Sequence, residues 1–538
     1  MGEVFLAAIE TLWRADVAVA LLVGSIGGVI IGAIPGVGPA VAIAIALPAT
    51  FSMDPIVGLT ALLGIYGSSM YGGAIPAILI NTPGTAVNAL TTYEGFPMTL
   101  RGEARRALAL AYSSSFFGGV FSVVCLIALS PLLARIAPMF GSREIFLAAL
   151  LGIILVVVAH RGQALAAAML AAFGIFLSTV GLEAVKYTKR YTFDQAWLSS
   201  GFDLIVVVLG LFAVSQALVL LTSEDQEQRR IRVRGSLFEG FRELARHPRV
   251  ASISASFGVV MGMVPGVGEF TAQFLSYTTA RATSRTPQAF GHGSSEGLIA
   301  AETANNAVPG AAMIPLLALG IPGEALTAMM LSVFYVHNVV PGPGLFQTNM
   351  DFVVALYLAL LVLNVLVVAF LLVSTNALVR LTRIPDRFLG MAVLLLSFVG
   401  VYSLRNSIAD CLIAAGFGLF GFVLKRLSLP IVPIILGMVL GGIMEVKLRS
   451  SMNRVKDPLD FIDRPISFLL FVVIVLVLVA QIGWVRGQMR SLRAGREERR
   501  RSPSRFAAHL SGKRERLEGR RQKRRREERR RFQIREHF

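Results

Sequence analysis

The groups in this chain best suited to chemistry are backbone atoms laid bare by proline–glycine pairs. Pro35-Gly36-Val37-Gly38 and Pro265-Gly266-Val267-Gly268 close two copies of the frame GxxxGxxPGxG, which start at Gly28 and Gly258. A second frame follows each copy. Ile75-Pro76, six residues and Pro83-Gly84 are matched by Ile314-Pro315, six residues and Pro322-Gly323. Proline has no amide hydrogen and glycine no side chain, so such a pair inside an apolar helix frees carbonyls and exposes amides. In lipid those groups must be met by protein, water or a ligand. A half-helix N-terminus offers amides and a positive dipole end to an anion, and freed carbonyls suit sodium. Four clusters in the same order read as a duplicated unit. The competing reading is that GxxxG and PG only allow close helix packing or a kink.

Polar side chains gather beside these breaks. Asn81, Thr82, Thr85 and Asn88 surround the first PG unit, with Ser68, Ser69 and Tyr71 before it and Ser113 to Ser115 after it. Glu296, Glu302, Thr303, Asn305 and Asn306 precede the second, and Glu324 and Thr327 follow it. Uncharged amides and hydroxyls bind a carboxylate without the desolvation cost of a buried charge. The candidate substrate site is therefore Pro35, Gly36, Gly38, Asn81, Thr82, Gly84, Thr85, Gly266, Gly268, Asn305, Asn306 and Gly323. Asn305-Asn306 reads as a pair at the mouth of a helix. Glu296 and Glu302 are candidates for coupling a sodium ion or a proton, because carboxylates at membrane depth are costly and usually functional. Helix capping and interhelical hydrogen bonding are the plainer roles for the same residues. Glu269, directly after Gly268, is tolerable only if it faces a cavity.

Enzyme signatures are missing. There is no Walker A sequence, no Gly-x-Ser-x-Gly elbow and no ligand spacing among the six histidines. Cys125 and Cys411 lie in apolar runs and read as small core residues rather than a metal site or disulfide.

The elements that must hold these groups are membrane helices. Of 538 residues 55% are apolar, and the mean hydropathy is +0.68, which excludes an ordinary soluble surface. Phe352–Val373 and Ile466–Val485 are each long enough to span ~30 Å of hydrocarbon at ~20 residues per span. Shorter apolar runs bring the expected total to about 11–13 spans, broken or re-entrant helices included. The runs are continuous rather than alternating, which argues for an all-α polytopic fold and against a β-barrel. Residues 1–16 lack the basic start of a cleavable signal peptide, so the first span is expected to insert by itself.

Charge sets the expected orientation. The net charge is +18, but residues 486–538 alone carry 21 Lys/Arg against 7 Asp/Glu. Basic loops at Arg101–Arg106, His160–Arg161, Arg229–Arg249, Arg380–Arg387 and Lys425–Arg426 would be cytoplasmic, together with the C-terminus. Lys447–Arg464 violates that pattern mildly. On this assignment equivalent points of the two frames fall on opposite sides, which means two inverted-topology repeats. Residues 1–222 and 250–446 are the expected halves, with a cytoplasmic linker at 223–249, a loop and extra span at 447–485, and a basic cytoplasmic tail at 486–538. The tail suits anionic lipid headgroups. It has too few aromatic residues for stacking on nucleic acid, so no nucleic-acid partner is expected.

Several long strings resemble the large membrane subunit of tripartite tricarboxylate transporters, the TctA-type family. They are IPGVGPAVAIAIALP, YGGAIPAILINTPG, EGFPM with ARRALALAYSSS, EGLIAAETANNAVPGAAMIPLLALGIPG and PGPGLF, and the likeness runs over residues 15–485. It implies a bacterial inner-membrane secondary transporter driven by an ion gradient and carrying small di- or tricarboxylates. It also implies two partners, a periplasmic solute-binding protein and a small four-span membrane subunit. Glu94, Glu269 and Glu324 depart from the family's pattern. Without the resemblance, an intramembrane enzyme or lipid-handling protein using Glu296 and Glu302 is the alternative. A passive channel is a further one.

Overall fold

A computed structural model describes residues 2–34, 37–84, 86–160, 162–183, 188–223, 237–381, 384–453 and 457–481. Pro35, Gly36, Thr85, residues 224–236 of the linker and the whole basic tail lie outside the described residues. The chain is helical almost throughout; among the described residues only Gly181–Leu182 and Lys189–Arg190 pair as strands. Among the described residues eight helices are long and apolar enough to cross a membrane, and four shorter apolar helices accompany them. The all-α polytopic expectation therefore holds.

After a short N-terminal helix, Gly2–Trp13, eight segments follow: α1 Ala15–Gly32, α2 Pro39–Thr50, α3 Pro55–Ile80, α4 Ala89–Leu100, α5 Ala104–Ile136, α6 Ser142–Ala159, α7 Ala164–Ser178 and α8 Leu204–Leu221. A turn of wider π-helix interrupts α8 at Leu209–Val214. A linker helix, Glu239–Leu244, leads to eight more: α9 Pro248–Met263, α10 Gly268–Thr283, α11 Ser295–Leu319, α12 Ala325–Val336, α13 Met350–Leu381, α14 Asp386–Arg405, α15 Ile408–Arg426 and α16 Val432–Met452. The final helix, α17, is Pro465–Gln481. Residues from Phe471 onward count as a second compact unit, of which only the end of α17 is described.

Eight described segments thus lie on each side of the linker helix, α1 to α8 before it and α9 to α16 after it. The residue run Ala311–His337, which reads as one apolar span, is the end of α11, a break at Gly320–Glu324, and α12. The break has a local cause. Gly320 takes the left-handed conformation at φ +69° and ends α11. Asn81 does the same for α3 at φ +58°. One residue further on, the amides of Ile321 and Thr82 donate to Pro315 and Pro76 (3.3 and 3.4 Å). Asparagine is among the few residues besides glycine that accept this backbone.

Helices α3 and α11, which lead into these breaks, are buried along nearly their full length. Both are apolar on most sides, as a central helix must be. Each is approached closely by a glycine-bearing helix. On Gly28 a side chain would strike Ser68 and Ile65 of α3, and on Gly258 it would strike Ala304 and Ala307 of α11. The GxxxG part of each frame is therefore a packing device. The halves also interlock. Helix α5 packs on α11 and α13 on α3; α6 and α7 pack on α16, while α14 and α15 pack on α8.

Loop contacts fall into sets. Arg105 and Arg106 pair with Glu239 and Glu243 of the linker helix (2.8 and 2.6 Å). Gln163 donates to Ser428, Arg426 to Thr222 and Ser223 to Asp386 (2.9, 2.7 and 2.9 Å). Elsewhere Arg449 pairs with the buried Glu183, Arg190 with Glu445 and Arg143 with Asp463 (2.6, 2.6 and 2.7 Å). Of the basic residues read at Lys447–Arg464, Arg449 is thus met by acids, Glu183 and Glu445.

Candidate functional site

A cleft of about 490 Å³ opens where the interrupted helices meet. Its wall takes Gly38 to Val41 from the start of α2 and Val87 from just beyond the first PG unit. Gly266 to Phe270 come from the start of α10, and Glu324 to Leu326 from the start of α12. His160, Phe212, Gln216, Lys425 and Val432 complete it. Three helix N-termini, those of α2, α10 and α12, therefore border one space, and each leaves amides that no turn of its own helix can satisfy.

The breaks are locked together by backbone. The amide of Gly266 donates to the carbonyl of Gly323 (2.7 Å), joining the two interruptions of the second half. In the first half the amide of Gly84 donates to Gly73 (3.3 Å). Side chains are excluded at corresponding places. At Gly84 a Cβ would meet the carbonyl of Gly32, and at Gly323 it would meet the carbonyl of Gly262. Gly266 combines φ +79° with a wall formed by Val156, so both backbone and space demand glycine there.

Two carboxylates face the cleft. Glu269 is 7% exposed and Glu324 is 6% exposed. Each has an oxygen, Oε1, with no hydrogen-bond partner among the described residues. Gly268, the residue before Glu269, lies beside Glu324: a methyl group on it would stand 4.0 Å from Oε2 of Glu324. Two nitrogen-bearing side chains also border the cleft: Lys425 donates to Gln216 Oε1 (2.8 Å) and His160 Nδ1 lies 2.8 Å from the Val156 carbonyl. The cavity-facing position required of Glu269 by its sequence context is the one it occupies.

The other expected residues are distributed differently. Gly38, Gly266 and Gly268 line the cleft, and Gly323 is one peptide from Glu324 on its wall. Asn81, Thr82, Gly84, Asn305, Asn306, Glu296 and Glu302 are not among the lining residues. Asn81 is exposed, and its residue type is accounted for by the left-handed cap; the Thr82 hydroxyl donates to Ile80 (3.4 Å). Asn305 and Asn306 stand in the middle of α11 rather than at a helix mouth, because the helix runs on through Pro309 and Pro315.

Asn306 belongs to a separate polar centre around Glu302. The Glu302 carboxylate is fully buried and accepts from Thr91, from Asn88 Nδ2 (3.3 Å), from Ser115 Oγ (2.9 Å) and from Asn306 Nδ2 (3.5 Å). All four donors are uncharged, and no basic side chain pairs with it among the described residues. Asn305, fully buried, has neither amide atom partnered among those residues. Glu296 sits half-buried in the first turn of α11, where its charge favours the helix dipole. No group of His, Cys, Asp and Glu among the described residues could hold a transition metal, and Cys125 and Cys411 are free thiols.

A second buried carboxylate escaped the sequence reading. Glu94 accepts from Tyr277 (2.6 Å) and from the amides of Gly291, Gly293 and Ser294 (2.6, 2.7 and 2.7 Å). It clamps the loop between α10 and α11 onto α4. Its only signal was position, inside the EGFPM string and far from the glycines it serves.

Residues 18–436 match the family model described as the Tripartite tricarboxylate transporter TctA family. The chain belongs to that family. A relative from Agrobacterium vitis, the uncharacterized 52.8 kDa protein in the TAR-I ttuC' 3' region, is 32% identical over 449 residues, covering 83% of this chain and 89% of the relative. A second Agrobacterium vitis relative, an uncharacterized protein in the TAR-II ttuC' 3' region, is 32% identical over 233 residues, 43% of this chain and 96% of its own length. No solved structure matches. As a TctA-family protein the chain is a membrane transporter subunit and not an enzyme, which removes the enzymatic reading of Glu296 and Glu302. TctA proteins work in tripartite systems, beside a small membrane subunit and a periplasmic binding protein.

Proposed function

We propose that this protein is the large transmembrane subunit of a binding-protein-dependent secondary transporter of the bacterial inner membrane. It imports small carboxylates, the di- and tricarboxylates of the family's name among them, by ion-coupled alternating access. The observation that carries the reading is the single cleft shared by the interrupted helices of both halves. A carboxylate of the cargo gains there from the open N-terminus of α2 without needing a fixed counter-charge. Reciprocal packing, α6 and α7 on α16 against α14 and α15 on α8, supports two inverted repeats that move against each other. The linkage of the loops at Gln163, Thr222, Asp386 and Arg426 supports a common cytoplasmic side for them and for the C-terminus. The basic tail would then lie against anionic lipid.

The coupling species is a sodium ion or a proton, with Glu302 as the buried carboxylate most closely tied to both halves. Through Asn88, Thr91 and Ser115 it reads the positions of α4 and α5 while riding on α11. The test is uptake into proteoliposomes that contain this subunit, its small membrane partner and the binding protein. Accumulation of a labelled carboxylate should require an imposed sodium or proton gradient and collapse with an ionophore. Uptake that merely equilibrates, indifferent to any gradient, would overturn the coupled mechanism.

A further inference from the structure

The cleft is electrically lopsided. In the first half the break residues that correspond to Glu269 and Glu324 are Pro39 and Thr85, neither of which carries charge. The α2 N-terminus therefore faces the cleft with its positive end unopposed, and Lys425 and His160 also stand on the wall. In the second half the N-termini of α10 and α12 each bear a carboxylate of the protein itself. Those acids already occupy the ground where a second anionic group of the cargo would sit. A dianion placed across the cleft would put one carboxylate against Glu269 and Glu324, and like charges in a poorly hydrated space repel strongly. Both acids are more than nine-tenths buried and each keeps an unpartnered oxygen. Burying such a group without a partner is costly, so a cationic donor that reached the two open oxygens would be held there.

We propose that the cargo is a carboxylate that also carries a cationic group, with its anionic end at the α2 N-terminus and its cationic end between Glu269 and Glu324. This rests on the transport reading above and narrows its substrate class. It predicts that such a cargo is preferred over a purely anionic acid of the same length. The cleft has room for both ends of such a molecule, since small-ligand sites begin near ~300 Å³.

The experiment uses the purified full-length chain in detergent and three probes of similar length: 4-aminobutyrate, glutarate and butyrate. Ligand binding is read as a rise in thermal midpoint with concentration, because a ligand that binds only the folded state stabilises it. In the unmodified chain 4-aminobutyrate should act at about tenfold lower concentration than glutarate. In the double variant E269Q/E324Q that preference should vanish or reverse, since a buried charge pair broken on one side loses about tenfold or more in affinity. Glutamine keeps the shape of glutamate, and the ligand-free midpoint, with each single variant measured beside the double, checks that the fold is intact. Glutarate binding as well as or better than 4-aminobutyrate in the unmodified chain would overturn the proposal and leave carboxylate transport standing. If all probes bind only with sodium present and weaken equally in the double variant, the two acids hold the coupling cation and the proposal fails. If no probe of either class shifts the midpoint, and none is taken up by the assembled transporter, the transport reading falls as well.

Discussion

Glu94 and Glu302 stand against Glu269 and Glu324 as two pairs of buried carboxylates with opposite surroundings. The first pair is complete: four donors meet each carboxylate, and all are neutral. The second pair borders a cleft and leaves an oxygen of each residue open. Burial alone does not tell these cases apart, since all four side chains are hidden from solvent. What separates them is whether the fold has already used the acid's hydrogen-bonding capacity. A satisfied carboxylate holds elements together, and an open one waits for something to arrive.

That contrast fixes the order of mutational effects. Glu302→Ala strands the hydroxyls and amides of Thr91, Ser115, Asn88 and Asn306, and should lower stability by about 3–5 kcal/mol, read as a fall in the thermal midpoint in detergent. Glu94→Ala strands three backbone amides and the Tyr277 hydroxyl, and should cost about 3 kcal/mol and open the α10–α11 loop to protease. Glu269→Gln and Glu324→Gln should change stability by less than about 1 kcal/mol, because they remove an unpaired acid rather than a partner. A large midpoint loss in either would group that residue with Glu94 and Glu302 as one whose hydrogen bonds the fold already uses. At Asn81, valine should cost about 1–2 kcal/mol through the left-handed backbone and glycine close to nothing. Loss of transport in Asn81→Gly at full stability would return that side chain to the substrate site.

The smallest effect concerns pH. Burial raises the Glu243 carboxyl, but the Arg106 guanidinium and the Ser295 hydroxyl more than offset it, and the net shift is downward. A lowered folded value means that its contribution is present above the ordinary carboxylate range and is lost as the pH falls through the folded value. Arg106 is nearly half exposed, so solvent screens the pair. Acid should therefore loosen the linker helix modestly, seen as faster proteolysis near Glu239–Leu244, and Arg106→Gln should remove the pH dependence of that cleavage.

The broken main chain was legible because proline–glycine pairs serve few purposes in an apolar run besides interrupting it, and because every motif occurred twice. The cavity-facing place of Glu269 followed from the same signs. The choice of acids was less legible. Glu302 and Glu269 look alike as letters; their difference lies in donors 187 to 214 residues away, at Ser115, Thr91 and Asn88. Asn81 was ambiguous for another reason. An asparagine beside a break suits both a ligand and a left-handed cap, and only backbone angles separate the two. Gly84→Leu, which the motif alone would suggest as a probe of the substrate site, is uninformative in this fold, since its Cβ would already meet the carbonyl of Gly32.

The interlocked halves have a consequence for how the protein is made. Helices α6 and α7 leave the ribosome long before α16, the helix on which they settle, has been synthesised. They must wait in the bilayer as unclaimed surfaces while more than 250 further residues are inserted. Premature termination anywhere before Val432 would leave that surface bare, a natural target for membrane quality-control proteases.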